Sequence, residues 1–131
     1  MGDKFNYKSD AKQLVSFENM PIRLSDIDGC YDHYGKAMLY FEIKRKYVAL
    51  TTGQRILLER SVKNAYHNGI WSIAIIGEHE EYNRDRDIDM ASCIVREYKI
   101  NDRDWRQPKK AITIGKMTET ILQKIDSGEF K

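Results

Sequence analysis

Glu42, Ile43 and Lys44 place a carboxylate and an ammonium group two residues apart. On an extended chain that spacing sends both side chains off one face, while Phe41 and Ile43 turn to the other, as core residues would. Asp26 and Asp28 have the same spacing upstream. If the two segments pair as a hairpin, an aspartate stands opposite Glu42. With His33-Tyr34-Gly35 as a three-residue loop and Gly35 left-handed, Asp26 faces Glu42 and Asp28 is its diagonal neighbour; a register slip of two reverses those parts. Carboxylates this close repel unless a cation lies between them, and hard oxygen ligands with room for water suit Mg2+ or Mn2+. An ion so held acidifies a bound water and polarises a phosphoryl oxygen, and an adjacent lysine orients that water or stabilises developing negative charge. These are the components of phosphodiester hydrolysis.

The elements that must position these groups are read from periodicity. Ser9-Asp10-Ala11 through Phe17-Glu18 has helical spacing, with Ser9 or Asp10 as N-cap, and Pro21 ends it. Ile22 to Tyr31 alternates as a strand does, Asp32-His33-Tyr34-Gly35 supplies a turn, and Ala37 to Lys44 is the most strand-like run in the chain. From Thr52 the period becomes helical, through Ile56, Leu57, Arg60 and Lys63, until Asn68-Gly69 closes it. Ile70 to Ile76 is a continuous apolar run, the pattern of a central strand buried on both faces. Glu78 to Asp89 is acidic with almost nothing apolar and reads as a solvated loop. Cys93 to Tyr98 returns as an edge strand, and Lys116 to Ile125, after Pro108, reads as an amphipathic terminal helix. The order helix, hairpin, helix, strand, strand, helix predicts an α/β layer sandwich with a mixed sheet flanked by helices.

Ser25-Asp26-Ile27-Asp28-Gly29, followed across a hairpin by Phe41-Glu42-Ile43-Lys44, resembles the active-site signature of the PD-(D/E)XK nuclease superfamily. The likeness continues through Gly53-Gln54-Arg55 at the start of the next helix and the apolar strand Ile70 to Ile76, and covers roughly Phe17 to Glu78. It runs towards short nuclease-like proteins carried by bacteriophages. The resemblance implies a restriction-endonuclease-like core with a catalytic hairpin. It also implies a Mg2+- or Mn2+-dependent endo- or exonuclease, with DNA expected ahead of RNA. Glu42 and Lys44 match the (D/E)XK pair, and Asp28 or Asp26 the first metal-binding aspartate, Asp28 being preferred. Glu18 resembles the extra acid that some members add to the metal site, and Gln54 the polar residue many members place near the substrate phosphate. Leu24-Ser25 stands where the family name has proline, a departure that leaves the metal ligand in place.

Composition sets the frame. The 131 residues fit one domain, and 41% hydrophobic with 32% charged residues describes a globular chain with a charged surface. A net charge of +2 argues neither for nor against a polyanion, so the nucleic-acid expectation rests on a local basic rim of Lys44-Arg45-Lys46, Arg55 and Arg60. Cys30 and Cys93 lack metal-ligand spacing and read as buried reduced thiols. His33, His67 and His79 read as turn or surface residues, and Trp71 and Trp105 as core or edge aromatics. Neither a signal peptide nor a membrane span is expected, so the predicted setting is cytoplasmic, the bacterial host's if a phage carries it. A homodimer would give so small a chain the surface to enclose a duplex. An E-x-K pair alone is most often a solvated salt bridge; two aspartates on the same face make a purpose the better explanation. The competing expectation is an inactive nuclease-fold module that binds nucleic acid or a partner protein.

Overall fold

The computed structural model describes residues 20–21, 26–83 and 85–130. The helix expected over Ser9 to Glu18, Glu18 with it, lies outside them. Four strands form one sheet in the order β1 (Gly29–His33), β2 (Ala37–Arg45), β3 (Trp71–His79) and β4 (Ile94–Ile100). β1 and β2 pair antiparallel, β2 and β3 parallel, and β3 and β4 antiparallel. The protein is therefore α/β with a mixed sheet, and among the described residues two α-helices, α1 (Thr52–His67) and α2 (Ile114–Ser127), cover it. No helix among the described residues is long and apolar enough to cross a membrane.

Parallel strands need a crossover, and α1 supplies it between β2 and β3. Thr51 caps α1 in a reciprocal box: its hydroxyl accepts from Gln54 N and its own N–H donates to Gln54 Oε1. Leu58 and Val62, four apart, share one helical face and pack with Ala74 and Ile76 on one side of β3. Ile73 and Ile75 point the other way and meet Ile114, Met117 and Ile121, the three- and four-spaced stripe of α2, together with Leu39 and Phe41 of β2. β3 is thus buried on both faces, as its unbroken apolar run requires. Each fully buried aliphatic side chain contributes roughly 1.5–3 kcal/mol.

The first strand differs from its expected bounds. It starts at Gly29 and continues to His33, because the reversal uses Tyr34 and Gly35, with φ of 54° and 72°. Lys36 N–H donates to His33 O and Gly35 N–H to Asp32 Oδ1, which closes the turn. His33 is a buried residue, 6% exposed, rather than a turn residue. Its Nε2 lies 2.9 Å from Asp126 Oδ1 on α2 and its Nδ1 3.1 Å from the Tyr31 hydroxyl, so the end of α2 is pinned to β1. The hydrogen bond from His33, helped by Lys36, holds the Asp126 carboxyl below its usual range. Cys93 is buried as expected, whereas Cys30 is exposed on the short outer strand.

β3 also outruns its expectation by three residues, through Gly77, Glu78 and His79. These three pair with Ile43, Lys44 and Arg45 of β2, and the partner strand holds them extended despite their polarity. Opposite Ile76 and Gly77, β4 carries one extra residue, Arg96, in a bulge. Beyond the sheet, Arg106, Ile112 and Thr113 run back along β4 and cover its outer edge through backbone bonds to Tyr98 and Val95.

Gly77 is where α2 meets the sheet most closely: a Cβ there would collide with Ile114 Cδ1 and sit 3.2 Å from Ile43 Cδ1. Gly77→Ala should destabilise the fold by about 1–3 kcal/mol through overpacking. Gly53, with open space around it on α1, should instead gain roughly 0.5–1 kcal/mol as Ala. Urea unfolding of both variants beside wild type checks the contrast; equal midpoints for all three would refute this packing of α2.

Candidate active site

The hairpin register decides which acid meets Glu42. Cα partners run from His33 opposite Ala37 to Gly29 opposite Phe41, so the next position outward sets Asp28 against Glu42. The arrangement with Asp26 opposite Glu42 is corrected: the loop residues are Tyr34, Gly35 and Lys36, one later than a His33-to-Gly35 loop, and the register moves by two. Asp26 and Asp28 precede β1 instead of lying within it. Asp28 still acts as the ladder's last rung, because its Oδ2 accepts a 2.7 Å hydrogen bond from Ile43 N–H.

Glu42 is 2% exposed, its Cα register partner on β3 is Ile76, and its Oε2 has no hydrogen-bonding partner. Loss of solvent is the main reason that its pKa rises to about 7. The charge of Asp28 and a hydrogen bond between the two carboxyls add to that rise, Asp26 adds a little, and Lys44 opposes it. Lys44 leaves β2 on the same face, partly exposed, with no hydrogen-bond acceptor among the described residues. Asp26 is exposed and reaches Glu42 only through its charge. The structure thus unites Asp28, Glu42 and Lys44 and leaves Asp26 at the rim. Gln54 bonds to Thr51 at the start of α1, so its carbonyl serves the helix cap.

Among the described residues no three Asp, Glu, His or Cys side chains converge into a ready-made metal cage. The Asp28 and Glu42 pair nevertheless fits a hard divalent ion: the donors are carboxylate oxygens, and the buried Oε2 of Glu42 is an acceptor without a donor. Water would complete such a shell.

Other charges on this face carry their own partners. Across β3 from Glu42 lies Glu97 of β4, gripped by Arg55 through two bonds of 2.8 and 3.0 Å. The guanidinium of Arg55 also sits 4.9 Å from the Trp105 ring, and Trp105 donates to Glu59. Arg55 is therefore bound within the fold, which corrects its place in a free basic rim. Glu78, the register partner of Lys44, binds Arg96 Nε at 3.1 Å. Reading that stretch as a loop concealed Glu78; the signal was the apolar run that leads straight into it.

Comparison with protein-family profiles, with curated proteins and with solved structures gives no match to this chain.

The raised pKa of Glu42 gives a signed expectation for the metal-free protein. The folded state holds the proton more tightly than the unfolded chain, so this contribution to stability is complete below about pH 4.5 and is lost as pH rises through about 7. In chelator, wild type should lose stability relative to Glu42→Gln across that window, as read from urea midpoints at each pH. A difference between the two proteins that does not change with pH would contradict the burial of this carboxyl.

Proposed function

We propose that the protein is a metal-dependent nuclease of PD-(D/E)XK type, with a restriction-endonuclease-like core, that hydrolyses phosphodiester bonds, DNA being the expected substrate. The observation that carries the reading is the buried Glu42 carboxyl, opposite Asp28 and beside Lys44, with one oxygen lacking any donor. A carboxyl in that position is unfavourable for folding alone and is what a cation would relieve.

Asp28 and Glu42 would hold Mg2+ or Mn2+, with Asp26 close enough in charge to add a ligand at the rim. Bound there, the ion supplies a more acidic water and polarisation of a phosphoryl oxygen. Glu42 releases its shared proton to solvent when it binds, so affinity for the ion rises with pH up to about 7. Lys44, on the same face, donates N–H to the attacking water or to the charge that grows on the phosphate. Gln54 enters through its amide N–H groups, since its carbonyl caps α1.

Calorimetric titration with Mn2+ should give binding that strengthens between pH 6 and pH 8 and disappears when Asp28→Ala and Glu42→Ala are combined. Equal heats from wild type and the double variant would remove the metal site.

Lys44→Ala should lower the single-turnover cleavage rate about a hundredfold or more, because one stabilising donor is lost only in the transition state. Its Mn2+ affinity should remain near wild type, as charged lysine is no ligand. Lys44→Arg should rescue poorly, its broad planar head matching neither size nor proton exchange. Cleavage of labelled DNA by Lys44→Ala at the wild-type rate would withdraw this hairpin as the catalytic centre.

A further inference from the structure

Immediately beyond Lys44 the chain leaves β2 through Arg45, Lys46, Tyr47 and Val48, and this turn is unusually well fixed. Arg96, the bulge residue of β4, donates to Val48 O at 2.7 Å and Arg45 O at 3.3 Å while its Nε holds Glu78. Lys46 N–H donates to His79 O and Val48 N–H to Arg45 O, at 2.8 and 2.9 Å. The product of this bracing is an aromatic side chain in water: Tyr47 has φ of 69°, a left-handed backbone rarely taken by a bulky residue, and is 89% exposed. That ring adds little to the core. Lys46 Nζ lies 5.4 Å from its centroid.

A second exposed ring lies against the same turn, on Arg45. Tyr82, 62% exposed, has the Arg45 guanidinium 5.6 Å from its centroid. It lines a groove of about 430 Å³ with Arg45, Asn83, Arg86, His79 and the acid Glu81, whose Oε1 accepts from Asn83 N–H. Lys46 is bound by Glu80 at 2.9 Å, so among the described residues beside these rings the cations left for a ligand are Arg45, Arg86 and Lys44. Asn83 Oδ1 accepts from Asp85 N–H, and its amide N–H groups remain as donors for a polar edge.

We infer that Tyr47 and Tyr82 form a stacking platform for unpaired bases, and that the substrate is single-stranded nucleic acid. Exposed aromatic rings next to cations suit a chain with flat faces and a charged backbone. A duplex hides its base faces within its own stack and would leave both rings unused. Lys44 and Arg45 leave opposite faces of β2, so a strand drawn over Tyr47 crosses the end of the sheet, from the Glu42 side to the Tyr82 groove. The direction of that path rests on the nuclease reading; the platform itself does not.

Tyr34 serves as an internal control. It too has positive φ and is 82% exposed, yet it sits in the hairpin turn at the far end of β2, with the His33 ring against it.

The test is fluorescence anisotropy in chelator with a short labelled oligothymidylate and a duplex of equal length, using wild type, Tyr47→Ala, Tyr82→Ala, Tyr47→Trp and Tyr34→Ala. The oligothymidylate should bind about tenfold or more tighter than the duplex. Tyr47→Ala and Tyr82→Ala should each weaken binding about 5- to 150-fold, the range for one lost base–aromatic stack. Tyr47→Trp and Tyr34→Ala should bind as wild type. Thermal melting of each variant should stay near the wild-type midpoint, since each of these rings is more than half exposed. Unchanged affinity in both alanine variants, duplex binding as tight as single strand, or the same loss in Tyr34→Ala would overturn the platform. Cleavage in Mn2+ by the same preparations separates the two ideas. Tyrosine-dependent binding without cleavage sinks the nuclease and keeps the platform, whereas cleavage with tyrosine-independent binding does the reverse.

Discussion

β2 and β3 run parallel for nine residue pairs, from Ala37 beside Trp71 to Arg45 beside His79. Two parallel strands cannot be joined by a turn, so α1 must cross one face, and a strand pair this apolar needs its other face covered as well, which α2 does. Both strands also finish at the same end of the sheet. Lys44 and Glu78 come level there, the Arg45–Val48 turn begins there, and Asp28 approaches from β1. A ladder that is hydrophobic along its length thus delivers its polar residues together at one end.

Within that end, two acids in one cross-sheet row meet opposite fates. Glu97 is matched by a planar guanidinium that fills both its oxygens. Glu42, two strands away, is more deeply buried and faces the carboxyl of Asp28 instead. The ion pair needs nothing further. Burial and the neighbouring Asp28 raise the Glu42 pKa to about 7, and in the proposed function a divalent cation would take the place of its proton. It is this asymmetry, rather than the number of acids, that makes Glu42 the candidate.

Much of this was legible in the residues. Periodicity marked β2, α1 and β3 because each is long and strongly patterned, and the common face of Glu42 and Lys44 follows from strand geometry alone. The register was not legible, since it depends on Tyr34 accepting a left-handed backbone that composition would assign to Gly35 only. Glu78 and His79 looked like loop because their strand character comes from pairing with Lys44 and Arg45, far away along the chain. Arg55 looked available for the same reason: Glu97 is remote in sequence and arrives only once β4 folds against β3. The burial of His33 likewise depends on Asp126, near the other end of the chain.

The hairpin loop Tyr34-Gly35-Lys36 lies at the opposite end of β2 from the candidate site, yet it works as a vernier on it. Strands slide past one another in whole residues, and a slip of a single residue turns every side chain of β1 to the opposite face. The loop's length therefore chooses among Asp26, Ile27 and Asp28 for the place against Glu42, without touching any of them. Insertions and deletions in a surface loop are usually the changes a fold absorbs most easily. Here an added or lost loop residue would act as a point substitution in the site at the far end of the strand, and neutral drift in that loop's length should be narrow.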